Sequence, residues 1–69
     1  MKYEPGDVVE FQLNLGGEPV AKGLVVGTLV NDYRVLPESR DQFWVIHPEE
    51  IKRKIGHADV EQYLSARFS

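Results

Sequence analysis

One stretch constrains this chain more than any other. Residues 4–15 read Glu-Pro-Gly-Asp-Val-Val-Glu-Phe-Gln-Leu-Asn-Leu, a Pro-Gly turn followed by alternating apolar and polar residues. Val9, Phe11, Leu13 and Leu15 share one side, with Val8, Glu10, Gln12 and Asn14 on the other, which is the period of a half-buried strand. Gly16, Gly17, Glu18 and Pro19 then turn the chain, and residues 20–30 return as a second extended stretch. Two tightly turned strands at the very start predict a small β-domain.

Gly23 and Gly27 interrupt the second stretch. Glycine weakens a strand, so its presence inside one marks a bulge or a bend at a barrel corner. Asn31-Asp32 reads as a two-residue hairpin turn, since both tolerate the positive φ such a turn requires. Residues 33–36 form the returning strand and Pro37 ends it. Residues 38–41 are loop-like, and residues 43–46 form a short strand that is apolar on both faces and is therefore expected to lie centrally. Residues 48–55 fit a short helix. They fit equally a single helical turn over 48–51 followed by a strand through Arg53 to Ile55, and the need for a closing strand favours the second reading.

After Gly56 the period changes. Val60, Tyr63, Leu64 and Phe68 fall at i, i+3, i+4 and i+8, the stripe of an amphipathic helix, with Asp59 or His57 available to cap it. The expected whole is one domain over 1–69: a mostly β, five-stranded closed barrel over 4–55 and a helix over 57–68.

Gly6-Asp7-Val8-Val9, residues 22–27 (Lys-Gly-Leu-Val-Val-Gly), Tyr33-Arg34-Val35 and residues 44–51 together resemble the SH3-like small β-barrels, the KOW-type and Tudor-like members being nearest. Many short bacterial and phage proteins are similar. The resemblance covers residues 4–55 and implies a binding domain; residues 12–21 make a longer first hairpin than a KOW motif has. The fold hosts peptide binders, nucleic-acid binders and enzyme subunits alike.

Composition narrows the classes. With 69 residues and no cysteine, neither disulfides nor a Cys-based zinc site can hold the fold. A core must suffice, and 42% apolar residues with seven aromatics supply one. A net charge of −3 weighs against broad nucleic-acid binding, which shows a basic face. No apolar run approaches the roughly 20 residues of a membrane span, and the first residues carry no apolar signal region, so the expected location is cytoplasmic.

Candidate chemistry is sparse. His47 with Glu50, and His57 with Asp59, offer metal ligands, but nothing in their spacing makes three or four groups converge, so no metal and no cofactor is expected. Ser39, Ser65 and Ser69 lack a nucleophile turn or an adjacent base, Glu49-Glu50 suit a helix N-terminus, and no phosphate loop follows Gly16-Gly17. The chain is read as non-enzymatic. Its expected role is to bind another protein through the loops over 16–19 and 37–42 together with Tyr33, Trp44 and Arg40. One alternative is nucleic-acid binding by Lys52, Arg53 and Lys54 with Trp44 or Tyr33 stacking a base. Three adjacent charges are not expected to share one face of a strand or helix, and Glu49 and Glu50 are near enough to offset them. The other alternative is an accessory subunit that docks through its helix, because about ten helical residues are marginal alone in water.

Overall fold

The computed structural model describes residues 2–13, 19–38 and 42–68, the side chains of Arg67 and Phe68 excepted. Five strands form one antiparallel sheet: β1 (Asp7–Phe11), β2 (Ala21–Thr28), β3 (Tyr33–Pro37), β4 (Trp44–Ile46) and β5 (Ile51–His57). A single 3-10 turn over Pro48–Glu50 leads into β5, and α1 (Val60–Phe68) ends the fold. The strand order is β4-β3-β2-β1-β5, a four-stranded meander whose last strand returns beside the first. This is the mostly β architecture with a C-terminal helix that the patterning predicts.

The alternation in β1 is visible as burial. Asp7, Val9 and Phe11 are buried while Val8 and Glu10 are half-exposed, and Leu13 packs against the same core. Leu15 and Phe68, placed on the apolar stripes by the sequence, lie outside the described residues or side chains. Every strand contributes to one cluster: Val9 and Phe11 from β1, Val25 from β2, Tyr33 and Val35 from β3, Ile46 from β4 and Ile51 from β5. Leu24 and Leu36 are cross-strand partners. By alternation they point away from Val25 and Val35, and both are fully buried.

Glycine and the turns set the curvature. Residues 4–7 form a type II turn, with Pro5 at the second position, Gly6 at φ +101° at the third, and the Asp7 amide donating to the Glu4 carbonyl at 3.0 Å. In β2 the register against β3 slips between Val25 and Gly27, so the expected bulge falls at Val26–Gly27. Gly23 serves a different purpose. A Cβ there would lie 2.6 Å from the Val35 side chain and 2.8 Å from the Leu36 carbonyl oxygen, so β2 and β3 approach each other only across a glycine.

Several expectations are corrected. The sheet is not closed by pairing: β4 and β5 are its two edges, with no ladder between them among the described residues. The β4 strand therefore is not central, and its neighbour Phe43 and its own Val45 are exposed. The β2–β3 connection spans residues 29–32 rather than two residues. The Leu29 amide donates to the Asp32 carbonyl at 2.8 Å, and no described non-glycine residue has positive φ. The preferred reading of residues 48–55, one helical turn and then a strand, matches the structure. Glu50 accepts a hydrogen bond from the His47 amide at 2.9 Å and so caps that turn. Asp59 caps α1, accepting from the Gln62 amide at 3.0 Å. Among the described residues no helix is long and apolar enough to cross a membrane.

Candidate functional site

The first turn builds a buried carboxylate with three polar partners. Because Gly6 bends the chain back, Asp7 enters β1 with its carboxylate inside, only 2% exposed. Oδ2 accepts from the Glu4 amide at 3.1 Å. Oδ1 meets Nδ1 of His57 at 3.0 Å and Nζ of Lys54 at 3.1 Å. Burial alone would raise the Asp7 pKa, but His57, the Glu4 amide and Lys54 together hold it below its ordinary value.

Glu4, Asp7 and His57 also bring possible metal-ligand atoms within 4.8 Å of one another. The Lys54 ammonium already occupies the Asp7 oxygen that faces His57, and that charge opposes a cation. The arrangement works as a clasp joining β1 to the end of β5. Each imidazole has a carboxylate partner from another part of the chain. His47 pairs with Asp32 at 2.5 Å, and that hydrogen bond raises its pKa. Asp59 is engaged at the helix cap.

Beside the clasp opens a cleft of about 470 Å³, lined by Lys2, Tyr3, Glu4, Asp7, Lys52, Arg53 and Lys54. Two register shifts against β1 mark bulges in β5: Val8 pairs with Gly56 but Val9 with Lys54, and Glu10 pairs with Arg53 but Phe11 with Ile51, which leaves Ile55 and Lys52 as extra residues. Between the bulges the pairing is regular, so Lys54 lies across from buried Val9 and Arg53 across from half-exposed Glu10, on opposite sides of the strand as alternation expects, although all three residues border the same cleft. Arg53 Nε lies 3.5 Å from Glu10, and Lys2 Nζ sits 5.8 Å from the centre of the Tyr3 ring.

A second recess, of about 320 Å³, lies between α1 and the β2–β3 hairpin. Val26, Leu29, Arg34, Phe43, Val60 and Leu64 border it. Phe43 is 48% exposed, and Val45, cross-strand from Arg34, is 52% exposed. Arg34 has no carboxylate within ion-pair distance among the described residues.

The residues favoured for partner binding fare unequally. Tyr33 is a core residue, 2% exposed. Its hydroxyl accepts from the amides of Lys2 at 3.2 Å and Tyr3 at 3.3 Å, and its ring meets Tyr3 edge-on at 5.4 Å. It therefore cannot meet a partner or stack a base. Trp44 is half-buried, its ring edge-to-face with Phe11 at 6.4 Å. Arg40, Ser39, Ser69 and most of the loop over 16–19 lie outside the described residues. Leu29, Arg34 and Lys2 are not singled out by the sequence. Phe43 is, as an aromatic that with Tyr33 and Trp44 could line a groove and that alternation sets opposite Trp44, the residue the sequence favours for the exposed contact. Compared with known proteins, the chain matches no family model, no curated protein and no solved structure.

Proposed function

We propose that this protein is a small non-enzymatic binding module, folded as an SH3-like barrel, that recognises a protein partner in the groove between α1 and the β2–β3 hairpin. The barrel reading is supported by the strand order, with β5 returning beside β1 after a 3-10 turn. It is supported too by the single cluster to which all five strands contribute. Bulges in β2 and β5 supply the added twist that curls a sheet around such a centre.

The observation that carries the partner reading is Phe43. A phenylalanine 48% exposed beside Leu29, Val60 and Leu64 leaves apolar area in water that a partner side chain would cover. The guanidinium of Arg34 at the same groove, which has no carboxylate within ion-pair distance among the described residues, sets the partner's chemistry: an apolar segment carrying a carboxylate. An accessory-subunit role uses the same surface, because α1 forms one wall of it.

Selection of binders from a random peptide display tests this. Enrichment of sequences pairing a large apolar residue with Asp or Glu, lost with Phe43→Ala and with Arg34→Gln, is the expected result. Selected peptides that bind Phe43→Ala as well as the parent protein would remove the groove from consideration.

A further inference from the structure

The cleft beside β5 carries a separate ligand. We propose that it holds the phosphate backbone of single-stranded nucleic acid without reading the bases, through Lys2, Lys52, Arg53 and Lys54. In a chain with eight Lys and Arg and a net charge of −3, four of the eight cations line one recess. The opposing carboxylates there are Glu4 and Asp7, and Asp7 is only 2% exposed and already engaged.

Lysine on an edge strand has another use, to discourage pairing with a second sheet. That use explains charges spread along β5. It does not explain why Lys2, from the N-terminal segment, gathers at the same recess. Cations arrayed along a strand suit an extended polyanion better than a compact anion, which needs donors converging on one point. A flexible single strand enters such a recess, whereas a duplex meets only its rim.

The same geometry removes base recognition. Tyr3 is the only aromatic lining the cleft among the described residues, and it is 7% exposed with its ring set edge-on against Tyr33. It offers no stacking platform, so affinity must come from charge alone. Lys54 is held by Asp7 and Arg53 faces Glu10. Lys2 and Lys52, which have no carboxylate partner among the described residues, are left to neutralise about two phosphates. For a single strand that predicts a slope of log affinity on log salt near −1.4, or roughly 25-fold weaker binding from about 20 mM to about 200 mM salt.

Anisotropy of a fluorescent oligothymidylate, repeated with oligoadenylate, tests the proposal. The two should bind alike with that salt dependence, and Lys2→Gln with Lys52→Gln together should flatten the slope toward zero. Both side chains lie outside the core, so circular dichroism should show the fold intact. No binding at the lowest salt overturns the proposal. Salt-independent binding does the same, as does a double variant that binds like the parent chain.

Discussion

Nδ1 of His57 lies 3.0 Å from Oδ1 of Asp7, joining the first residue of β1 to the last residue of β5. The same oxygen takes the Lys54 ammonium, while the other accepts the Glu4 amide. Ala58 continues the junction, its amide donating to the Gly6 carbonyl at 2.7 Å. One carboxylate thus ties the opening turn, a sheet edge and the approach to α1.

The sign of its pH dependence follows. A carboxyl whose folded pKa is depressed stabilises the fold above its unfolded value, here 3.8, and that stabilisation is lost as pH falls through the folded value. Asp7→Asn removes the charge but keeps an acceptor for the Glu4 amide. The expected cost is about 2 kcal/mol at neutral pH, within the range for hydrogen bonds to charged groups. Urea melts at pH 7 and at about pH 3 check it. The gap between parent and variant should narrow at the acid end, and a gap that stays constant would show that the charge contributes nothing.

Two glycines in β2 should respond in opposite ways to alanine. At Gly23 the new Cβ would sit 2.8 Å from a backbone oxygen, which cannot move without dragging β3. Gly23→Ala should cost about 1–3 kcal/mol, the usual range for overpacking. At Gly27 a Cβ meets nothing within 4 Å, and φ is not positive. Gly27→Ala should therefore stabilise by about 0.4–1 kcal/mol through the unfolded chain. Thermal melts of the two variants decide it; equal effects would mean that the close approach at Gly23 is not what fixes the β2–β3 spacing.

These sites also mark how far the letters alone could be read. The alternation through Phe11, the bulge at Gly27 and the strand after Pro48–Glu50 were legible because each rests on local periodicity or backbone preference. Tyr33 was misjudged because what buries it is remote: its hydroxyl is satisfied by amides 30 and 31 residues earlier in the chain. The central position expected for β4 fails because a both-sided apolar run also describes an edge strand whose outer residue, Val45, is exposed and whose neighbour Phe43 lines a groove. The alternation of Arg53 and Lys54 holds in the register against β1, while the bulges at Ile55 and Lys52 and the approach of Lys2 to the same cleft leave no mark in the residues themselves. Asn31-Asp32 carried a two-residue turn signal that the Leu29–Asp32 hydrogen bond overrides.

The helix provides the last test. Val60, Tyr63 and Leu64 are half-buried, and two of them wall the groove opposite Leu29 and Phe43. At ~25 cal/mol per Å² a half-buried side chain of this size contributes about 1 kcal/mol, and the helix's own hydrogen bonds fall somewhat short of the cost of ordering its nine residues, which consumes part of the sum. A chain ending at Ala58 keeps β5 whole and retains the Ala58–Gly6 hydrogen bond, whereas one ending at Gly56 would lose both. The shorter protein should be less stable by about 1–2 kcal/mol, lowering its melting temperature by about 4–8 °C per kcal/mol for a domain of this size. If it melts with the full chain, the stripe of α1 gains nothing from its own sheet, and Val60 and Leu64 serve a surface that forms only when another molecule enters the groove.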